Sequence, residues 1–350
     1  MRPTSAATVS AIIVTHNRRD QLGRAVDSIL SQTPRPHEVI IVDDGSTDGT
    51  PDYLRESYGD AVTVISRPHR GVSAARRCGV LAATGDWIAF LDSDDAWADG
   101  RLSVMARAVH EAPADTGCIF GDSKLVYKDR TSTVFSEAGW GETSGPQLVA
   151  EPMSSQWPYM VSLLPSSLVR REALIEAGCF QEDLESSEDL LVSFRIALRR
   201  PIVCVHDVVS IVDRTGRADS LSRRGQSSPD HFRARVLAFE ETARVTGRRE
   251  WRALHASAVR GWCIALARKG EACRAEALLQ FKHAATLKAV LFLIFAFCGA
   301  TPVRLWGYGA RVRADFPQSL VPPPTPRPKT CGEGSSVRPA AEQLAGFRGK

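Results

Sequence analysis

The sequence predicts an α/β protein built around a mainly parallel β-sheet that is flanked by helices. Short apolar, β-branched runs alternate along the N-terminal part of the chain with segments of helical periodicity. The runs contain few polar residues, which is typical of strands covered by helices on both faces. The predicted strands are Val9 to Thr15, Val39 to Val42, Val62 to Ile65 and Trp87 to Leu91.

The segments between these strands have the spacing and the boundary residues of helices. Apolar residues from Leu22 to Ile29 recur at the i, i+3, i+4, i+7 spacing of an amphipathic helix. Thr50-Pro51 is predicted as an N-cap with proline at the first helical position, and Val72 to Ala83 as an alanine-rich helix. The remaining expected elements are a helix with Leu102, Met105, Ala106 and Val109 on its apolar face, a strand at 117–121, a hairpin around 126–135, a strand at 168–170, a helix at 171–177, a helix entered through 185–189 and a strand at 202–212.

Composition limits the class of protein. The chain has 350 residues, of which 43% are hydrophobic and 24% charged, so it can bury an ample core. A net charge of +4 is too small to indicate nucleic acid as a partner. The eight scattered cysteines include no CxxC pair, and the N-terminal apolar run is too short for a signal peptide. These features predict reduced thiols and a cytoplasmic location.

Changes of composition divide the chain into three expected regions. An α/β domain is expected over 1–228, a helical region over 229–316 and a disordered, proline- and glycine-rich tail over 317–350. The apolar segment 287–300 is short for a membrane span, and it would suit a buried core helix, an interfacial helix or a marginal span. Because arginines follow it, we favour peripheral contact of 287–313 with the inner face of the plasma membrane.

An acidic tetrad, Asp92-Ser93-Asp94-Asp95, stands directly after the predicted strand at Trp87 to Leu91. Carboxylates suit Mg²⁺ or Mn²⁺, which usually also take oxygens from a substrate phosphate. Taken alone, the tetrad could equally be an acidic turn or a helix cap. Ligands bind beyond the carboxyl ends of parallel strands, where Thr15, Asp43 and Asp44 also lie, so a shared acidic crevice is expected.

Three common nucleotide or cation motifs are absent. The first predicted strand ends in Thr15-His16-Asn17-Arg18, where a dinucleotide-binding site would need G-x-G-x-x-G. The sequence contains no P-loop. The segment from Asp44 resembles the start of an EF-hand, but Arg55 occupies the twelfth position, where a bidentate glutamate is required.

The chain resembles the inverting family 2 glycosyltransferases of the GT-A fold over roughly Val9 to Arg224. Several motifs occur in the family's order, so their combination is more specific than any one of them. The matching segments are VSAIIVTHNR at 9–18, VIIVDDGSTDGT at 39–50, GVSAAR at 71–76, GDWIAFLDSDD at 85–95, GCF at 178–180 and Glu188-Asp189.

The resemblance assigns roles by position. It implies that Thr15 and Asp44 bind the base and ribose of a nucleotide-sugar donor, with Asn17 and Asp43 nearby, and that Arg76 lies near the diphosphate or ribose. It also implies that Asp92 and Asp94 form the D-x-D motif, with Asp94 the more direct ligand of Mn²⁺ or Mg²⁺, and that Asp189 is the general base. The expected substrate-binding set is Thr15, Asn17, Asp43, Asp44, Arg76, Asp92, Ser93 and Glu188.

One residue departs from the family pattern, and two other functions compete with glycosyl transfer. Arg77 stands where the family usually has asparagine. A nucleotidyltransferase could share the sheet but would need a glycine-rich basic loop after the first strand. A non-catalytic nucleotide-sugar-binding scaffold would not need Asp189, which could simply favour a helix N-terminus. The arginine-rich stretch 214–224 could close over a diphosphate, meet an anionic acceptor, or be a solvated loop.

The implied reaction moves a sugar, expected to be UDP-linked, to the hydroxyl of a glycan or lipid-linked acceptor in bacterial polysaccharide or glycolipid synthesis. A divalent ion would stabilise the charge that develops on the leaving diphosphate. A carboxylate on the opposite face would take the acceptor's proton, so that a single displacement inverts the anomeric carbon.

Overall fold

The computed structural model describes residues 7–140, 145–149, 163–215 and 228–269. Within these ranges the chain forms one sheet of ten strands with helices on both faces, which confirms the predicted α/β class. The path through the sheet runs β3-β2-β1-β4-β9-β6-β10-β5, with β7 paired to β6 and β8 to β10.

The first four of these strands form a parallel block. Their bounds are β1 Val9–Thr15, β2 Glu38–Asp43, β3 Thr63–Ser66 and β4 Trp87–Asp92, close to the predicted runs. In the register of this block Thr15 pairs with Asp43, and Val14 pairs with Asp92. The polar residues that follow the apolar runs therefore emerge together at one edge, where a ligand is expected.

The second half of the sheet is mixed. The strand β9 runs antiparallel to both β4 and β6, whereas β10 is parallel to β6. The bounds of these strands are β5 Ala96–Trp97, β6 Cys118–Val126, β7 Thr131–Thr133, β8 Gln147–Leu148, β9 Ser167–Arg170 and β10 Ile202–Asp213.

Ten α-helices lie in the described ranges. Those between the parallel strands fall where the apolar periodicity predicts them. The ten helices are α1 Arg19–Leu30, α2 Thr50–Tyr58, α3 Val72–Ala82, α4 Arg101–Glu111, α5 Val134–Glu137, α6 Leu163–Ser166, α7 Arg171–Glu176, α8 Glu188–Ala197, α9 Pro229–Thr246 and α10 Arg249–Lys269.

Alternate residues of the central strands pack into hydrophobic cores on opposite faces of the sheet. Ile12 packs with the α3 face, whereas Ile13 packs with the face covered by α1, α2 and α4. Gly79 allows α3 to approach the sheet closely, because a Cβ there would lie 2.7 Å from a methyl carbon of Ile12. The close approach at Gly79 therefore fixes α3 against the middle of β1.

The helices α9 and α10 pack against α8. Phe194, Phe239 and Trp251 form an aromatic cluster with ring centroids 5.6 Å apart in each pair. The first part of the helical region predicted for 229–316 therefore shares a core with the sheet. The boundary at 228 stays a prediction.

Three local predictions need correction. The N-cap of α2 is Gly49 rather than Thr50, because the Asp48 carboxylate accepts hydrogen bonds from the Thr50 amide and hydroxyl and draws that residue into the first turn. Ala106 is exposed, and Ala108 takes its place in the core. In the predicted hairpin the return strand is only Thr131–Thr133, after which α5 begins.

Several predictions concern residues outside the described ranges, namely 216–224, 287–313 and 317–350. None of the helices within the described ranges is long and apolar enough to cross a membrane. Cys78, Cys118, Cys179 and Cys204 are free thiols.

Candidate active site

Asp44 lies at the centre of a dense set of donors just beyond β2. Its side chain is 2% exposed. It accepts hydrogen bonds from the backbone amides of Arg70 at 3.1 Å and Gly71 at 2.8 Å. Arg67 Nε lies 3.4 Å and His69 Nδ1 2.8 Å from its carboxylate oxygens. The Asp44 carboxylate is therefore held in one orientation at the strand edge.

Two imidazoles flank this carboxylate. The rings of His16 and His69 stack with centroids 4.2 Å apart, and the Nδ1 atoms lie 2.9 Å and 3.0 Å from the Asp44 carbonyl oxygen. Sequence reasoning missed His16, Arg67 and His69 as parts of the site. Their position could have identified them, because they follow β1 and β3 at the same edge of the parallel block.

Thr15 has an unusual environment. The residue is 2% exposed, and its hydroxyl finds no hydrogen-bond partner among the described residues. A buried hydroxyl without a partner costs free energy unless a ligand supplies one. Thr15 pairs in register with Asp43, so the hydroxyl lies beside the acids that follow β2.

Asp43 and Asn17 make hydrogen bonds to the backbone of the loop that follows β2. The Asp43 carboxylate accepts the Ser46 amide at 3.3 Å, and Asn17 Oδ1 accepts the Thr47 amide at 2.8 Å. Asn17 has a left-handed backbone with φ of 52°. Both side chains fix the backbone of residues 43–49, so they contribute to the predicted substrate site by holding this loop.

The tetrad forms a turn between β4 and β5. The Asp95 amide donates to the Asp92 carbonyl, and its carboxylate accepts the Asp213 amide at 3.1 Å. Burial, followed by the charges of Asp92 and Asp94, raises the pKa of Asp95 to about 8. Asp95 thus closes the turn, while the Asp92 side chain remains 45% exposed and Asp94 partly exposed. Ser93 is buried within the turn.

Arg76 joins two acids that are distant in sequence. Its Nη2 lies 2.9 Å from Asp92 Oδ1, and its Nη1 contacts Glu188 Oε1. The guanidinium also lies 5.8 Å from the centre of the Phe180 ring. Burial alone would lower the pKa of Arg76, but the carboxylates, led by Glu188 and Asp92, raise it above the ordinary arginine value. This arginine remains charged and links β4 to α8.

Asp189 lies next to this ion-pair network. It is partly buried in the first turn of α8, and its Oδ1 accepts its neighbour's amide, Leu190 N, at 2.8 Å. Burial, and then the charge of Glu188, raise the pKa of Asp189 to about 7, against the opposing charge of Arg76. A carboxylate with a pKa near neutrality is suited to accept a proton from a hydroxyl at physiological pH.

Arg77, where the sequence departs from the family pattern, turns away from this network. Its Nε lies 3.4 Å from Glu182 Oε1, and its Nη1 donates to the Gly178 carbonyl at 3.4 Å. Arg77 therefore braces the loop before α8, and the departure leaves the crevice acids unchanged.

Sequence similarity identifies the family of the N-terminal part of the chain. The model of the glycosyl transferase family 2 matches residues 10–175, which include every crevice residue except those of α8. Residues 10–175 form a family 2 glycosyltransferase domain. Over 96 residues the chain is 41% identical to UDP-Glc:alpha-D-GlcNAc-diphosphoundecaprenol beta-1,3-glucosyltransferase WfaP of Escherichia coli, a match that covers 27% of this chain and 38% of that protein. The chain thus aligns with well under half of this relative.

Solved structures show that the glycosyltransferase domain has the GT-A fold. The Staphylococcus aureus protein TarS 1-349, solved with UDP-GlcNAc, superposes with a TM-score of 0.57 at 19% identity, covering 83% of this chain and 87% of that one. The mannosyltransferase PcManGT of Pyrobaculum calidifontis, solved with GDP-Man and Mn²⁺, superposes with a TM-score of 0.52 at 21% identity, covering 87% and 89%.

The carboxylates of the tetrad fit a metal ion that is bound together with a phosphate group. Asp92 and Asp94 offer two carboxylates, and among the described residues no group of three or more His, Cys, Asp or Glu side chains could hold a metal by itself. Mg²⁺ and Mn²⁺ commonly bind one or two carboxylates and complete their coordination with phosphate oxygens and water. The residues suit a shared metal–diphosphate site rather than a closed protein cage.

Proposed function

We propose that the protein is a metal-dependent, inverting glycosyltransferase that moves a sugar from a nucleotide-diphosphate donor, UDP-linked, to a hydroxyl acceptor. The observation that carries the proposal is the ion-pair chain from Asp92 through Arg76 to Glu188. This chain links Asp92, the proposed metal-binding acid, to Glu188, which directly precedes Asp189 in the first turn of α8. Burial raises the pKa of Asp189 to about 7, which supports its role as a base beside the donor.

The half of the crevice around β1 and β2 would bind the nucleoside. The orphaned Thr15 hydroxyl and the fixed Asp44 carboxylate offer hydrogen-bond partners to a base and ribose, and Asp43 and Asn17 order the loop beside them. UDP-GlcNAc and GDP-Man are the ligands of the two solved relatives, which supports a nucleotide sugar as the donor.

The half around β4 would bind the diphosphate. Asp94 and the exposed part of Asp92 would hold Mn²⁺ or Mg²⁺, which neutralises charge on the leaving diphosphate. Ser93, expected to contact the substrate, is buried in the turn between these two acids. Arg76 keeps a fixed positive charge beside Asp92, so it also favours an anionic ligand here.

Asp189 would act as the general base for the acceptor hydroxyl. Transfer by direct displacement needs a base on the face opposite the leaving group. The acceptor would be a glycan or a lipid-linked glycan of surface polysaccharide or glycolipid synthesis, which the lipid-linked acceptor in the name of WfaP supports. Contact of 287–313 with the inner face of the plasma membrane would bring the enzyme to such an acceptor.

The test is release of nucleoside diphosphate from a panel of nucleotide sugars, with Mn²⁺ and candidate acceptors. Wild type should release UDP, and Asp189→Asn should not, while the variant keeps the melting temperature and donor affinity of wild type. Donor binding without turnover by wild type would favour the scaffold alternative, and release of pyrophosphate from UTP with a sugar phosphate would favour a nucleotidyltransferase.

A further inference from the structure

The loop that leads into α8 is fastened to the first turn of α9. The two segments are about 45 residues apart in sequence, and several hydrogen bonds join them. Each contact joins a residue of the segment 183–187 to a residue of 228–233. The contacts are Arg233 Nη1 to the Asp183 carbonyl at 3.0 Å, the Glu185 amide to Asp230 Oδ2 at 3.1 Å, Ser186 Oγ to Ser228 Oγ at 2.8 Å and Ser187 Oγ to His231 Nδ1 at 2.7 Å.

Ser187 is the critical residue of this loop. It is the N-cap of α8 and has a left-handed backbone with φ of 60°. Its side chain makes no capping hydrogen bond to α8, although serine is well suited to that role. The hydroxyl is instead directed to His231. A non-glycine residue in this conformation persists only where its surroundings impose it.

His231 is itself held in place. It is 8% exposed, its amide donates to Ser228 Oγ at 3.2 Å, and its ring meets the edge of the Phe232 ring with centroids 5.5 Å apart. Burial, and then the charge of Arg235, lower the pKa of His231 to about 4. The imidazole is therefore neutral at physiological pH, which suits a constant hydrogen-bond partner.

We propose that His231 is a positioning residue for glycosyl transfer, which holds the Ser187 hydroxyl and thereby fixes where α8 presents Asp189. The inference rests on the proposed function of Asp189. It makes the start of α9, which lies beyond the residues that match the family model, a working part of the active site. The two residues that follow Ser187 are Glu188, the partner of Arg76, and Asp189 itself.

Loss of a positioning residue lowers kcat of the folded enzyme, whereas loss of a purely stabilising residue lowers only the folded fraction. His231 touches neither the donor half of the crevice nor the tetrad, so its removal should leave donor KM within about twofold. Displacement of Asp189 by about 1 Å should lower kcat by roughly tenfold to a hundredfold. His231→Asn can place an amide near the position of Nδ1 and should recover most of the loss.

The kinetic test compares kcat, donor KM and the pH profile of kcat in wild type, His231→Ala and His231→Asn, each corrected for the folded fraction. Arg244→Ala, an exposed change in the last turn of the same helix, is the matched control and should behave as wild type. His231→Ala should also move the acidic limb of the profile, because the surroundings of Asp189 change. Unchanged kcat and pH profile in His231→Ala would overturn the proposal.

A second measurement does not depend on turnover. Amide hydrogen exchange over 183–190 should accelerate in His231→Ala and return towards wild type in His231→Asn. Unaltered exchange would refute the inference even if the enzyme is active. Absence of turnover by wild type with every nucleotide sugar, together with accelerated exchange, would instead refute the proposed function while the contact between the two segments stands.

Discussion

The guanidinium of Arg76 donates a 2.9 Å hydrogen bond to Asp92, the first acid of the tetrad. Its other terminal nitrogen contacts Glu188, which lies 112 residues further along the chain. One buried cation thus connects the edge where we propose that a metal–diphosphate binds to the helix that carries Asp189, the proposed base. We expect disruption of this bridge to affect both halves of the reaction.

Replacement of Arg76 tests the bridge. Arg76→Ala leaves Glu188, which is 5% exposed, as a buried carboxylate without its ion-pair partner, so unfolding free energy should fall by about 3 kcal/mol. Arg76→Lys should restore the charge but not both contacts, and kcat should stay at least tenfold below wild type. Denaturant unfolding and steady-state kinetics measure the two effects. Arg107→Ala, an exposed change in α4, is the control, and an equal loss of kcat there would contradict the assignment.

Thr15→Val separates a ligand contact from a structural one. The change keeps the shape of the side chain and removes a hydroxyl that has no partner among the described residues. The melting temperature of the free protein should therefore stay the same or rise. The free energy of unfolding should increase by up to about 1 kcal/mol. Donor KM should rise about tenfold because the bound nucleotide loses a hydrogen bond. A fall in stability with unchanged KM would show that the hydroxyl serves the fold.

Asp189 predicts the pH dependence of transfer. Because its pKa is raised to about 7, the free carboxylate is lost as pH falls below that value, and kcat/KM should decline on the acidic side of about pH 7. Asp189→Asn should lower kcat by about 10²- to 10⁴-fold and abolish this limb. Glu185→Gln, an exposed change in the same loop, should keep the wild-type profile. An acidic limb that persists in Asp189→Asn would assign it to another group.

Asp95 predicts the pH dependence of stability in the absence of metal. Its folded pKa of about 8 exceeds the ordinary value of 3.8, so the folded state binds more protons than the unfolded state between these pH values. Stability should therefore fall as pH rises from 4 to 8. Asp95→Asn can still accept the Asp213 amide and should melt about 3 °C or more above wild type at pH 8, with little difference at pH 4. Thermal melts in EDTA measure this difference. A difference in melting temperature between Asp95→Asn and wild type that stays constant from pH 4 to pH 8 would contradict the assignment.

The sequence anticipated the strands and the acids because both depend on local pattern. The run from Val9 to Thr15 is apolar and β-branched, and it forms a strand with those bounds. The acids at 43–44 and 92–94 follow such runs directly, so parallel pairing alone brings them to one edge. The expected family and fold class are confirmed by the family match and the structural superpositions.

The long-range contacts had no local signal. His69 and Arg67 surround Asp44 only because β3 pairs with β2. Arg76 reaches Glu188 only because the loop that leads into α8 contacts the start of α3, where Ser73 donates to the Leu184 carbonyl. The hydrogen bond between Ser187 and His231 depends on how α9 folds back on that loop. Hydrophobic periodicity locates helices, but it does not specify which polar ends meet, so these partners required the structure.

The most direct measurement of the central claim is a thermal-shift titration with UDP and UDP-sugars, with and without Mn²⁺, on wild type and Asp94→Ala. Wild type should be stabilised by about 3 kcal/mol when the nucleotide reaches a hundredfold excess over its Kd, and Mn²⁺ should enhance the shift. Asp94→Ala should lose the Mn²⁺-dependent part, whereas Asp99→Ala, an exposed acid just beyond the tetrad, should retain it. Absence of any shift in wild type with UDP, GDP or their sugars, with or without Mn²⁺, would contradict the account.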